Sequence, residues 1–141
     1  MRLLGVKRAY VVHGSGLDEA AVHGTTEIAE LKEDGTIERS TLTPADLGAK
    51  RLYSIEEIKG GAPADNALIT EAILAGKGTE AQQAFVTANL ALLLKIGGLA
   101  KSLPEAVELA RRTMASGKGL EVLNAHRAYA ASHTASSQKA A

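Results

Sequence analysis

Two adjacent carboxylates, Asp18 and Glu19, follow the turn-forming residues Gly14-Ser15-Gly16, which close the short apolar run Ala9-Tyr10-Val11-Val12. A buried strand running into a flexible turn sets this acidic pair at the carboxyl end of the strand, the edge at which open α/β sheets bind ligands. Two carboxylates on a short loop suit a hard cation such as Mg²⁺, which keeps several waters and bridges the phosphates of a bound molecule. The same two residues also suit the acidic first turn of a helix, where the helix dipole favours them. The pattern alone leaves both readings open.

His13 and His23 bracket this loop and could act as acid, base or hydrogen-bond donor, or simply be structural. His126 and His133 stand apart in the last helix and tail. There is no cysteine and no His-x-x-x-His pair, so the usual zinc ligand sets are missing. Gly14-Ser15-Gly16 lacks the Gly-Lys-Ser/Thr ending of a P-loop and is not Gly-x-Gly-x-x-Gly, so a plain turn competes with a phosphate cradle. Gly60-Gly61-Ala62-Pro63 could offer N–H groups to an anion at a helix start, or merely connect two helices. Ser15 has no His/Asp partner in its neighbourhood that would make it a hydrolytic nucleophile.

The elements that must hold these groups can be read along the chain. Leu3 and Leu4 look like the last turn of a helix capped by Gly5, which suggests a chain that begins inside a larger fold. Ala9–Val12 is a strand. Residues 26–32 and 36–42 form a β-hairpin closed by Asp34-Gly35. Thr43-Pro44 opens a short helical turn that Gly48 stops. Ser54-Ile-Glu-Glu57 and Ser102-Leu-Pro-Glu105 have the capping-box pattern, each opening a helix. Further helices run over about residues 63–75 and 80–96, the latter apolar nearly all round and therefore expected to be buried on several sides. A last helix after Gly119 has Leu120, Leu123, Ala128 and Tyr129 as its inner face, and from about residue 131 the Ala/Ser/His/Thr/Gln tail is expected to be disordered. The result is an α/β layout: part of a mixed sheet, one buried strand plus a hairpin, packed with several α-helices. Residues 1–130 form the ordered unit and 131–141 the tail.

Composition narrows the function classes. The chain has 141 residues, enough for one domain with a real core. Sixteen basic and sixteen acidic residues cancel, and no basic stripe marks a nucleic-acid or anionic-membrane surface. No apolar run approaches the roughly 18 residues of a membrane span. Residues 1–8 carry no sustained apolar stretch, and the cysteine-free composition suits a cytoplasmic protein.

Taken together, the segments resemble the C-terminal half of the anthranilate phosphoribosyltransferase family. The resemblance rests on Arg2-Leu-Leu-Gly-Val-Lys-Arg-Ala-Tyr-Val-Val-His-Gly-Ser-Gly-Leu-Asp-Glu19, Thr41-Leu-Thr-Pro-Ala-Asp-Leu-Gly48, Ile58-Lys-Gly-Gly-Ala-Pro-Ala-Asp-Asn-Ala67, Val86-Thr-Ala-Asn89, and Ser102-Leu-Pro-Glu-Ala-Val-Glu-Leu-Ala-Arg111 with Ser116-Gly-Lys. These are in order over residues 2–130. The resemblance implies the glycosyltransferase family 3, nucleoside phosphorylase-like fold. It also implies transfer of a phosphoribosyl group from phosphoribosyl diphosphate to anthranilate in tryptophan biosynthesis, with Asp18 and Glu19 matching the pair that binds Mg²⁺ at the diphosphate. A homodimer or other self-association is expected with it.

Two departures qualify it. Ala21 stands where the family usually has a serine, and the Gly-Thr-Gly-Gly-Asp and Lys-His-Gly-Asn segments are absent from this sequence. The expectation is therefore a C-terminal part of the enzyme that is inactive alone. A non-catalytic binding or assembly module of the same fold is the alternative. A related nucleoside phosphorylase fits the Thr-Pro-Ala-Asp-Leu-Gly and Gly-Gly-Ala-Pro segments less well.

Overall fold

The computed structural model describes the backbone of residues 1–138 and the side chains of residues 1–133. A single 3-10 turn, Arg2–Leu4, is closed by Gly5, whose N–H donates to the Arg2 carbonyl. Three strands follow: β1 (Ala9–Gly14), β2 (Thr26–Leu31) and β3 (Ile37–Leu42), in the order β1-β2-β3 and antiparallel throughout. Val11 faces Ala29, which in turn faces Arg39. The β2–β3 hairpin closes where the sequence places it: the Asp34 carboxylate accepts from the Thr36 N–H at 2.9 Å and the Thr36 hydroxyl at 2.6 Å.

The pleat gives the sheet two unlike faces. One carries Tyr10, Val12, Ile28 and Leu42 into a core shared with Ala20, Val22, Leu47, Tyr53, Ala81, Ala88 and Leu92. The other carries Val11 and Ile37, 55% and 59% exposed, beside Arg39 and Thr41. β1 is therefore half-buried rather than the buried strand that its apolar run predicts: the opening turn reaches that second face at Met1 and Arg2, beside buried Leu31, but leaves Val11 and Ile37 more than half exposed.

Five helices complete the described fold: α1 (Ile55–Ile58), α2 (Pro63–Leu74), α3 (Glu80–Ile96), α4 (Leu103–Ala115) and α5 (Lys118–Gln138). The Ser54 box forms in full, with Glu57 N–H donating to the serine hydroxyl and Ser54 N–H to the Glu57 carboxylate. At Ser102 only half of it forms. The hydroxyl accepts from Glu105 N–H, but the Glu105 carboxylate takes the Lys101 N–H at 2.8 Å. Thr43-Pro44 opens the short helical turn expected of it, with Leu47 N–H donating to the Thr43 carbonyl at 3.3 Å; Asp46 reaches back to the Thr43 N–H and hydroxyl, and the turn ends at Gly48.

Helix α3 is the central strut. Ala88 and Leu92 face the sheet core, whereas Ala91 packs with Ala106, Val107 and Ala110 of α4. Small residues along this contact let the two helices lie close together. It is not covered on all sides as its apolar sequence predicts: Leu93 is 66% exposed. Helix α5 also departs from expectation. Leu120 and Leu123 are half-buried, but Ala128 and Tyr129 lie outside, and Tyr129 stacks on His133 instead. Among the described residues, α5 is tied to α2 by the Arg127–Glu71 ion pair. It continues to Gln138 and so spans most of the tail for which the sequence predicts disorder; residues 139–141 lie outside the described residues. No helix among the described residues is long and apolar enough to cross a membrane.

Candidate metal loop

The turn after β1 is tight and closed. Gly14 N–H donates to the Leu17 carbonyl at 3.0 Å and Leu17 N–H to the Gly14 carbonyl at 3.1 Å. Ser15 and Gly16 stand between them with φ of 49° and 95°, the pair of positive φ values that a two-residue hairpin turn requires. Ser15 tolerates this because its hydroxyl donates to the Thr25 carbonyl at 2.9 Å and its own carbonyl accepts from His23 Nε2 at 3.1 Å. Since a carbonyl only accepts, the hydrogen sits on Nε2, and Nδ1 of His23 is left buried with no hydrogen-bond partner. His23 is thus a strut for the turn. The Gly14 and Leu17 N–H groups are spent on closing the turn.

Asp18 and Glu19 come next, in an irregular loop and not in a helix. The helix-start reading of the pair is thereby set aside. Both side chains are exposed, and neither carboxylate takes part in an ion pair or hydrogen bond among the described residues. Immediately after them the chain dives: Ala20, Ala21 and Val22 are each 0% exposed. The buried backbone is satisfied from three directions. Ala20 N–H donates to Asn89 Oδ1 of α3 at 2.8 Å, and Ala21 N–H to the hydroxyl of Thr26 on β2 at 2.9 Å. The Val22 carbonyl accepts from Tyr53 N–H at 3.1 Å. Gly14 is pressed from above by this loop; a Cβ there would lie 2.3 Å from the Glu19 carbonyl oxygen and 2.6 Å from Ala21 N.

Chemically, the loop offers two unspent oxygen donors on a backbone that is fixed on one side and open to solvent on the other. No group of three or more His, Cys, Asp or Glu that could hold a metal occurs among the described residues. The pair therefore fits a cation that takes one or two protein carboxylates and fills its remaining positions with water and ligand oxygens, as Mg²⁺ does. It does not fit a closed structural site.

The other sequence candidates lie elsewhere. His13, at the end of β1, is exposed on the open face of the sheet opposite Glu27. His126 is exposed on α5, and His133 stacks on Tyr129. At Gly60-Gly61-Ala62-Pro63 two N–H groups are already used: Gly61 donates to Asn66 Oδ1 at 2.8 Å and Ala62 to the Asp65 carboxylate at 3.2 Å. The side chains of Asp65 and Asn66 fill the place an anion would take, and the connecting-loop reading holds there. Thr26 and Asn89 were missed as parts of the loop. The available signal was an amide in the middle of the most apolar helix, which needs partners once half-buried.

Ala21 fills a fully buried seat against Gly14. Its departure from serine changes an interior contact, and the two exposed carboxylates remain intact.

The chain is similar to known proteins over most of its length. The enzyme named anthranilate phosphoribosyltransferase of Tolumonas auensis is 52% identical over 121 residues, covering 86% of this chain and 35% of that protein. Its namesake from Shewanella putrefaciens is 53% identical over 124 residues, with 88% and 35% covered. The chain thus spans about a third of the length of these relatives. Among solved structures, anthranilate phosphoribosyltransferase from Thermus thermophilus superposes with a TM-score of 0.80 at 31% identity, over 91% of this chain and 37% of that one. The Saccharomyces cerevisiae enzyme in complex with PRPP and Mg shares the fold, at a TM-score of 0.72 and 24% identity, over 83% of this chain and 33% of that one. With residues 1–120 matching its family model, the chain belongs to the glycosyl transferase family, a/b domain.

Proposed function

We propose that this chain supplies the metal-carrying part of an anthranilate phosphoribosyltransferase, with Asp18 and Glu19 as the Mg²⁺ carboxylates. The observation that supports this reading is the free, exposed acidic pair on a pinned loop at the carboxyl end of β1, in a chain about half identical to enzymes of that name. Mg²⁺ there would neutralise charge developing on the diphosphate leaving group of phosphoribosyl diphosphate. The protein's own share is positional: the loop backbone holds the two carboxylates at a fixed place while the ribose passes through a carbocation-like state. The rest of the reaction site, including the diphosphate grip and the anthranilate pocket, belongs to segments this sequence does not contain. By itself the chain should therefore not consume anthranilate. The same reading puts the protein in the cytoplasm, where such a biosynthetic step takes place.

Self-association is part of the proposal. Val11 and Ile37 on the open sheet face, and Leu3 and Leu4 on the opening turn at 96% and 84% exposure, are large apolar side chains open to solvent of the kind that a self-association surface covers. The module reading, fold without chemistry, drew on Ala21; with that residue buried and the acidic pair intact, it has the weaker support.

The test follows anthranilate fluorescence in the presence of phosphoribosyl diphosphate and Mg²⁺. The chain alone should give the blank rate. Adding a polypeptide that comprises the uncovered upstream part of the Tolumonas auensis enzyme should restore turnover, and the double variant D18N/E19Q should abolish it. Restored turnover that is indifferent to D18N/E19Q refutes the assignment of the pair, and turnover by the chain alone refutes the division of the site.

A further inference from the structure

Asp18 and Glu19 are exposed, yet the backbone one residue further on is completely buried. The side chain that joins these two conditions is Asn89, 69 residues away on α3. Its carboxamide makes a two-point clamp on Ala20: Oδ1 accepts from Ala20 N–H at 2.8 Å, and Nδ2 donates to the Ala20 carbonyl at 3.1 Å. The second Nδ2 hydrogen goes to the Phe85 carbonyl, one turn back on α3, at 3.0 Å. Both donors of the amide are spent, and the Ala20 N–H requires the oxygen on its side, so the orientation of the group is determined. Thr26, 0% exposed, holds the next N–H, that of Ala21.

The clamp does more than satisfy buried backbone. A single water could do that, but would leave the loop free to shift against α3. The amide is tied to the rigid helix at Phe85 and to the loop at both polar atoms of Ala20, so helix and loop move as one body. Glu19 is the residue directly before the clamp. Mg²⁺ demands near-ideal octahedral geometry from its ligands, and groups that orient metal ligands from behind typically control affinity ten- to a hundred-fold.

We infer that Asn89 is the positioning residue of the Asp18–Glu19 pair, with Thr26 as its counterpart on the sheet. The inference rests on the pair being the metal carboxylates proposed above. Asn89 touches neither metal nor substrate in this assignment; it acts through the Ala20 peptide.

The experiment uses the whole chain with Mn²⁺ as an electron-resonance-active stand-in for Mg²⁺. Mn²⁺ affinity and amide hydrogen exchange are measured well below the melting temperature. N89A should weaken Mn²⁺ binding about ten-fold and speed exchange at Ala20. T26V, close in shape but without the acceptor, should do the same in milder degree with exchange rising at Ala21. Should N89A fail to fold, T26V carries the test. T87V is the control: Thr87 is also a buried polar residue on α3, but its hydroxyl contacts Met114 and not the loop. It should cost stability without moving either readout. Mn²⁺ affinities of N89A and T26V no weaker than that of T87V overturn the inference. A wild-type chain that binds no Mn²⁺, or binds it equally with D18N/E19Q, overturns the metal reading and this inference with it. That result is visible with Asn89 intact and so cannot be confused with failure of the clamp.

Discussion

The sharpest prediction concerns Gly14. A Cβ built there lies 2.3 Å from the Glu19 carbonyl oxygen, 2.6 Å from Ala21 N and 2.9 Å from Ala21 Cβ. Two of the three obstacles are backbone atoms of the loop, and that backbone is fastened to Asn89 and Thr26. No flexible side chain can swing aside, so G14A must push the loop off the strand. Forcing an extra methyl into a packed site costs about 1–3 kcal/mol. Replacing glycine also stiffens the unfolded chain, which offsets about 0.4–1 kcal/mol. The net loss is therefore centred at about 1.3 kcal/mol, or roughly 4 °C in melting temperature for a domain of this size. Thermal unfolding followed by circular dichroism reads the shift. Hydrogen exchange should place the disturbance at Leu17, Ala20 and Ala21, leaving the β2–β3 hairpin amides protected. If G14A melts with the wild type and its loop amides stay protected, the Glu19 carbonyl does not lie over Gly14, and the account of how the acidic pair is held fails.

Three further outcomes test the rest of the structure. Leu47 is 0% exposed in the core shared by sheet and helices, so L47A should lose about 2–5 kcal/mol in urea denaturation. Glu57 is held at a pKa of about 2, chiefly by the Arg51 guanidinium and next by the Ser54 N–H. A lowered carboxylate pKa means the α1 cap is at full strength above the ordinary glutamate range and weakens as pH falls toward 2. A carboxyl NMR titration should find that low midpoint and R51M should move it up. V11K or I37K on the open sheet face should reduce self-association in sedimentation without lowering the melting temperature, since both residues are more than half exposed.

Much of the local structure was legible because it depends on neighbours in sequence. Asp34-Gly35 makes its turn with hydrogen bonds two residues long, and Ser54-Glu57 closes its box within one helical turn. Where such motifs had a rival partner, the sequence was less reliable. Glu105 prefers the N–H of Lys101 to that of Ser102, a choice between groups one residue apart. Thr43-Pro44 opens the turn expected of it, and Gly48 follows too soon for a helix to propagate.

Burial was harder to read than local shape. An apolar stripe shows which surface seeks cover but not whether cover exists. Val11 and Leu93 look like core and are exposed, in a chain that spans only about a third of its relatives' length.

The sequence by itself determined the residue types of the acidic pair, the turn before it, the hairpin beside it and the family pattern that joins them, all of which depend on the identity and spacing of nearby residues. Only the tertiary structure decided that Asp18 and Glu19 stand on a loop with both carboxylates unspent, and that this loop is held by Asn89, Thr26 and a bare Gly14. Those contacts join α3 and β2 to a segment as many as 69 residues away. A hydrogen bond across such a distance is set by how the helix packs on the sheet, which no short stretch of sequence contains.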